Sequence, residues 1–463
     1  MTYLYLKARS ATKIFFRLIL VLSIFAFSTL LGIVIGVAIT YTTIEAIVIT
    51  LTTLFMAQSI FTLLWMLYAW EDPENVHKDR SPLVFYPPQL SFTALVPARH
   101  EDGVIEDTIQ AINSIHYPEH LKEILILCKN DDIKTIQKAR SVMRILKKKT
   151  IKLVIFDDEP INKPHALNYG LDEASNEVIV IFDAEDQPHK DIYKVANTVM
   201  LRDKADVLQA GVQLMNFTSR WFSALNCMEY FFWFKSGLHF FSKIGKATPL
   251  GGNTVFFKTN WLKHIGGWDE ECLTEDADIG FRLIEAGARV RITYDEAHTT
   301  HEETPTTVKE FIKQRTRWNQ GFLQILFKGS WLRMPMFKQK ITSLYVILSP
   351  LFQSMMFLYI PFALLIALFV KMSVIVSLYT FIPFLLLGLQ ISTNIIGLYE
   401  FTKAYKLKFP LYMPFLILLV YFPYQLMLMF AAFRAFFRYV FSKNTWEKTL
   451  HINAHRKTIN SYA

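Results

Sequence analysis

Three stretches of the chain gather side chains able to do chemistry. In VIVIFDAEDQP (178–188) an apolar run, Val178 to Phe182, ends abruptly in Asp183, Glu185 and Asp186. Three acids in four residues offer the hard carboxylate oxygens that an octahedral divalent ion prefers, and such an ion commonly also holds substrate phosphates. A strand that closes in an acidic turn is nonetheless common. In ECLTEDADIGFRLIEAG (271–287), Glu275 and Asp276 follow Thr274 at the head of a periodic helix. The helix dipole favours acids in a first turn, so plain capping accounts for them. The chemical alternative makes Asp276 a general base, with Asp278 able to serve instead on composition. KEFIKQRTRWNQGF (309–322) is basic and carries an indole. There Gln314, Arg317 and Trp318 fall at i, i+3 and i+4 and share one helical face. A guanidinium and an amide beside an aromatic plane suit a diphosphate and a sugar ring, although a Lys/Arg cluster at a membrane boundary is also ordinary topology.

The elements that must position these groups follow from hydrophobic periodicity. Phe92 to Val96, EILILCKNDD (123–132), IKLVIFDD (151–158) and VIVIFDAED read as strands that alternate with amphipathic helices. That alternation implies a doubly wound, mostly parallel sheet with right-handed crossovers. All four strands would then deliver polar residues to one edge, where open α/β sheets bind their ligands. PLGGNTVFFKT (249–259) supplies a glycine turn before one more short strand, and two glycines permit close backbone approach.

Composition adds a membrane. The chain has 463 residues, 52% of them hydrophobic, too apolar for an ordinary soluble protein. The excess gathers at 14–39, 44–70, 343–370, 373–398 and 410–433, each near the roughly 20 residues a helix needs to cross a bilayer. The first is too long for a cleavable signal and is soon followed by a second. Lys7, Arg9, Lys13 and Arg17 precede it, so the N-terminus and the charged region 71–335 are expected in the cytosol. Cys128, Cys227 and Cys272 are odd in number and scattered, which predicts reduced thiols and neither a zinc site nor a disulfide framework. The net charge of +9 sits largely at membrane flanks, in 402–408 and 434–457, and points to anionic lipid rather than nucleic acid. The proline-rich segment 71–89 reads as a linker. The aromatic but charge-interrupted 215–241 reads as an interfacial helix, with a domain core helix as the alternative.

The order of the motifs is more specific than any one of them. Asp131 and Asp132 after the second strand, KPHALN (163–168), DAED (183–186), TED (274–276), QRTRW (314–318), HEETPTTVKEF before it and FSKNTWEKTLH (441–451) at the end together resemble the membrane-integrated family-2 glycosyltransferases that include cellulose and hyaluronan synthases. The resemblance implies a GT-A domain inserted between membrane helices, catalysing inverting transfer of a sugar from a UDP-sugar to an acceptor hydroxyl. Carried over, Asp131 or Asp132, Lys163 and Asn168 would bind the nucleotide sugar. Asp183, Glu185 and Asp186 would hold Mg2+ or Mn2+, and Asp276, with Glu275 beside it, would deprotonate the acceptor. Gln314, Arg315 and Arg317 would embrace the diphosphate, with Trp318 beneath the acceptor sugar. The family's metal motif is D-x-D, so whether Glu185 or Asp186 completes it stays open.

The organisation expected is therefore two membrane helices in 1–70, a linker at 71–90, the transferase domain at 91–304, an interfacial helix in 305–340, three or four membrane segments in 341–441, and a cytoplasmic tail at 442–463. The product expected is a β-linked, β-glucan-like polysaccharide passed through the enzyme's own channel in the plasma membrane, with a homo-oligomer or export proteins as further partners. The alternatives are transfer of a single sugar to a lipid carrier and a transporter subunit with a degenerate transferase fold. Two spans plus three leave the basic tail outside, against the positive-inside rule. A proline-bearing segment (Pro350, Pro361, Pro410, Pro414, Pro423) is thus expected to be re-entrant or split.

Overall fold

A computed structural model of the protein describes residues 43–441 together with Glu447 and Arg456. The apolar segment 14–39 and most of the 441–451 motif lie outside the described residues.

The region between the apolar helices is built on a seven-stranded sheet. Its strands are β1 (Phe92–Pro97), β2 (Lys122–Lys129), β3 (Ile151–Phe156), β4 (Val178–Ile181), β5 (Val207–Ala210), β7 (Val255–Lys258) and β8 (Val290–Thr293), in the order β3-β2-β1-β4-β7-β5-β8. β1 pairs in parallel with β2 and β4, β2 with β3, and β5 with β8. β7 is antiparallel to both its neighbours. A separate parallel pair joins β6 (Val212–Leu214) to β9 (Thr300–Glu302).

Because helices cover both faces, β2 and β4 are buried along their whole length, which explains their unbroken apolar runs. Successive residues point to opposite faces. Ala94, Val96, Ile126 and Val180 enter one core; Leu95, Leu125, Leu127, Ile179 and Ile181 enter the other. The three cysteines are free and buried.

The helices that matter for function are α1 (Thr43–Glu71), α2 (Ile105–Asn113), α3 (Ile133–Leu146), α4 (Lys163–Glu173), α5 (Ile192–Arg202), α6 (Ser223–Phe232), α7 (Glu275–Glu285), α8 (Val308–Lys328), α9 (Phe337–Phe369), α10 (Ile382–Ala404) and α11 (Met413–Val440). Among the described residues, four helical segments are long and apolar enough to cross a membrane: Thr43–Glu71, Phe337–Phe369, Val374–Ala404 and Met413–Val440. They flank the sheet domain and expose large apolar side chains such as Phe369, Leu385, Phe415 and Leu419.

Two connecting regions are more structured than their composition suggests. Residues 71–90 contain the helix Pro73–Lys78, and the amides of Tyr86, Gln89 and Leu90 bond to Thr198 and Asn197 of α5. The segment 215–241 holds α6 and then widens into π-type turns at Trp233–Gly237 and Phe241–Gly245. Its Ser236 accepts from Ala69 N and donates to Trp65 O of α1. Lys235 is bonded to Glu296 of the domain and Glu400 of α10. This stretch therefore ties the sheet domain to the membrane helices.

Candidate active site

The edge reached by the C-termini of β1 to β4 opens into a cavity of about 230 Å3. Its floor comes from Pro97 and Arg99 after β1, Lys129 of β2, Phe156 of β3, and Asp183 and Glu185 after β4. Across from them stand Thr274, Glu275 and Asp276 at the head of α7, and Gln314, Arg317 and Trp318 on one face of α8. The α8 face is fixed at its start by Thr307, whose hydroxyl accepts from Glu310 N, and at its end by Gly329 in the left-handed region, an arrangement glycine adopts without strain.

Lys163 is the hub. It sits in the first turn of α4, capped by Asn162, whose side chain accepts from His165 N. Its Nζ donates to Asp183 Oδ1 and to Gly252 O at 3.0 Å, and lies 3.8 Å from Glu275 Oε1. Burial works against its charge, but Asp183 and Glu275 more than reverse this and hold its pKa above the ordinary range. A Cβ at Gly252 would stand 3.2 Å from Asp276 Oδ2 and 3.4 Å from Lys163 Nζ, so any side chain here would press on both groups. Burial pushes Glu275 up to about 7 and raises Asp276 above the usual aspartate range, with Lys163 pulling each the other way.

The acid turn divides its work. Asp183 and Glu185 face the cavity. Asp186 is fully buried; its Oδ2 accepts from Asp183 N at 2.8 Å, and its carboxylate accepts from Asn253 Nδ2 at 2.9 and 3.0 Å. Burial, reinforced by Glu302, raises its pKa well above the ordinary value. Asp186 thus shapes the turn from within and, unlike Asp183 and Glu185, does not line the cavity. Asp183 and Glu185 form an all-oxygen donor pair on the cavity wall, which fits Mg2+ or Mn2+.

Other expected residues lie elsewhere. Asp131 is at the exposed rim, bonded to Arg99. Asp132 caps α3, accepting from Thr135 N and from His100 N at 2.6 Å. Asn168 braces the loop before α7, donating to Trp268 O and Glu270 and accepting from Trp268 N. Arg315 turns away from the diphosphate side. It pairs with Glu229 at 2.5 Å and Asn226 at 2.6 Å and stacks on the Trp318 ring at 4.5 Å. Conversely, Arg99, Lys129, Tyr230, Asn253 and Glu302 line the cavity without having been singled out from sequence. Arg99 and Lys129 sit where β1 and β2 end, so the strand-edge rule applied to every strand would have found them.

A second cavity, of about 350 Å3, shares Gly252, Asn253, Asp276 and Trp318 with the first. It continues between the membrane helices past Trp65, Tyr345, Gln353, Gln390, Asn394, Tyr421 and Gln425. Within it Gln353 Nε2 donates to Gln425 Oε1 at 2.8 Å, and Tyr421 OH to Gln390 Oε1 at 3.3 Å. Amides and aromatics inside otherwise apolar helices are costly unless they serve a polar occupant or one another. Apart from both cavities, His189, Asp191 and His298 bring ligand-type atoms within 4.8 Å of one another. There His189 Nδ1 accepts from Asp191 N, and Lys194 pairs with the Asp191 carboxylate at 2.7 Å.

Comparison with known proteins agrees with this layout. The chain is 28% identical over 243 residues to the probable glycosyltransferase YdaM of Bacillus subtilis. It is 27% identical over 282 residues to the poly-β-1,6-N-acetyl-D-glucosamine synthase of Staphylococcus epidermidis, and 27% identical over 235 residues to the β-monoglucosyldiacylglycerol synthase of Trichormus variabilis. These alignments cover 51%, 58% and 50% of this chain, and 56%, 62% and 48% of the relatives' own lengths. Among solved structures, the mannosyltransferase PcManGT of Pyrobaculum calidifontis, in complex with GDP-Man and Mn2+, superimposes with a TM-score of 0.57 at 19% identity. It covers 86% of this chain and 99% of its own, a likeness of fold: the GT-A fold, with apolar helices added around it. Residues 87–321, just over half of the chain and the whole of the sheet domain, match the family described as glycosyltransferase like family 2, and the chain belongs to that family.

Proposed function

We propose that the chain is a processive, inverting glycosyltransferase that polymerises a sugar from a UDP-sugar into a β-linked polysaccharide and passes the product between its own membrane helices. The observation that carries this reading is the second cavity. It opens beside Asp276 and Trp318 and runs among amides and aromatics into the apolar helices, as a path for a hydroxyl-rich chain requires.

In this reading Asp276 takes the proton from the acceptor hydroxyl as that oxygen bonds to the sugar's anomeric carbon and the bond to the diphosphate breaks, releasing UDP. Gly252 leaves room for the carboxylate beside the acceptor. Gln314 and Arg317, with Lys163 opposite, donate to the diphosphate, and Trp318 stacks the acceptor sugar. A Mg2+ or Mn2+ held by Asp183 and Glu185 would offset the charge that develops on the leaving group. Arg315, paired with Glu229 behind Trp318, sets the orientation of that indole.

The catalytic domain is read as cytosolic and the protein as resident in the plasma membrane. Tyr405, before α11, bonds to Tyr294 and Thr299 of the domain, and Arg438, near its end, bonds to Gln320 of α8. Both flanks of this proline-bearing helix meet the catalytic side, which supports a course for α11 that starts and ends there and leaves the basic tail inside.

Two relatives favour different acceptors. One is named for a polymeric product and the other for a glycolipid. Transfer of a single sugar to a lipid is the second reading, favoured by an acceptor cavity lying among membrane helices. Asp276→Asn tests the shared chemistry: transfer is lost while calorimetry still detects UDP-sugar binding. Undiminished product from that variant contradicts the assignment of the base.

A further inference from the structure

The acid turn is lined from the cavity side by its carboxylates and gripped from the opposite side through its carbonyls. Thr108 of α2 donates its hydroxyl to Ala184 O at 2.6 Å. Arg456, from the tail well beyond α11, brings Nη2 to 2.9 Å from that same hydroxyl, 3.1 Å from Asp186 O and 3.4 Å from Glu185 O. Its Nη1 pairs with Asp107 Oδ2 at 3.2 Å. Three successive carbonyls of the turn, from Ala184 to Asp186, are thus engaged by one Thr–Arg couple.

A tail side chain rarely gives up solvent without return. The Arg456 side chain is only 14% exposed, its Nε is buried without a hydrogen-bond partner, and burial takes its pKa down to about 10. An isolated buried cation is unfavourable. What compensates is the Asp107 carboxylate together with the turn, whose carbonyls of Glu185 and Asp186 accept from the guanidinium.

We propose that Arg456 is a positioning residue for the donor site: its guanidinium docks on Thr108 and presets the 183–186 backbone so that Asp183 and Glu185 converge on the diphosphate and its divalent ion. The inference rests on the reading of this turn as the ion site. It makes Arg456 a working part of the site, since a guanidinium that leaves Thr108 also releases the turn.

The test uses full-length protein in lipid nanodiscs, comparing wild type with Arg456→Ala, Arg456→Lys and Thr108→Val, the last removing the bridging hydroxyl without touching the tail. The first readout is hydrogen exchange of the peptide spanning 183–187 with neither metal nor nucleotide present. The second is the Mn2+ concentration giving half-maximal UDP-sugar binding by calorimetry. Arg456→Ala and Thr108→Val should each speed exchange across 183–187 and raise the Mn2+ requirement about tenfold, with kcat at saturating Mn2+ and donor within about twofold of wild type. Arg456→Lys, which keeps the charge but not the planar fork, should fall between. Exchange and Mn2+ requirement equal to wild type in both variants overturns the proposal. So does a general loss of thermal stability with the Mn2+ requirement unchanged, which would make the contact merely structural. Wild-type protein that binds no UDP-sugar with any divalent ion overturns the donor-site reading instead.

Discussion

Gly321 of α8 lies so close to Thr274 of the TED motif that a Cβ on it would stand 2.7 Å from the Thr274 backbone nitrogen. Gln324 completes the joint: its Oε1 accepts from Leu273 N at 2.9 Å and its Nε2 donates to Glu271 O at 3.0 Å. The helix that presents Arg317 and Trp318 is thereby keyed to the turn that presents Asp276. On helix propensity alone, Gly321→Ala should stabilise by about 1 kcal/mol. The contact reverses the sign, because the neighbour is backbone and cannot step aside, so α8 must shift. A displacement of about 1 Å between catalytic groups costs up to ~100-fold. Gly321→Ala is therefore expected to lower kcat/KM by about 10- to 100-fold in steady-state assays, with circular dichroism unchanged.

The acid turn separates ligands from supports. Asp183→Asn and Glu185→Gln should abolish or sharply weaken the metal dependence of UDP-sugar binding; Glu185→Gln should leave thermal stability near wild type, whereas Asp183→Asn also removes the main partner of the buried Lys163 ammonium and should lower it. Asp186→Ala removes the acceptor for Asp183 N and Asn253 Nδ2, leaving buried donors unpaired at about 1–3 kcal/mol. Its melting temperature should fall first, and differential scanning of Glu185→Gln and Asp186→Ala side by side reads the distinction.

Acidity should matter near neutrality. Burial pushes Glu275 up to about 7, and Asp276 is raised beside it. A general base works ionised, and burial raises Asp276 above the usual aspartate range, so the acid limb of kcat/KM should lie above that range, falling up to tenfold per pH unit and levelling off once Asp276 is ionised. Stability in the absence of donor runs the other way. The folded protein holds this proton more tightly than the unfolded chain, so Glu275's contribution is full below its ordinary 4.5 and is lost as pH rises through about 7. Glu275→Gln should flatten that part of the melting-temperature profile.

The amide pair Gln353 and Gln425 bridges α9 and α11 in the second cavity. Replacing both by Leu exchanges a hydrogen-bonded pair for an apolar one of similar size, a change close to neutral for folding. The double variant should fold and retain donor hydrolysis, yet make shorter polymer on a sizing gel.

Much of the fold was readable because its strands are apolar runs that end in polar residues, and buried parallel strands leave no other trace. The antiparallel insertion of β7 between β4 and β5 was not, since VFFK carries nothing that sets its direction. Within the site, the spacing of Gln314, Arg317 and Trp318 marked one helical face, and these three do stand together on the cavity. Arg315, two residues from Arg317, projects elsewhere as that same periodicity requires. The division between Glu185 and Asp186 was beyond local sequence. It is decided by Asn253, 67 residues on, and by Glu302, with which Asn253 also bonds. Asp132 and Asn168 are polar residues whose use as a cap and a brace emerges only once the backbone around them is placed.

The central claim is repeated addition of sugar to a chain held in the protein's own cavity. Purified protein in nanodiscs, given radiolabelled UDP-sugars one at a time with Mg2+ or Mn2+, answers it through the size of the labelled product. The account predicts label in a high-molecular-weight polymer that a β-specific glycosidase degrades and that Asp276→Asn fails to make. Label confined to a solvent-extractable lipid bearing one sugar would contradict it.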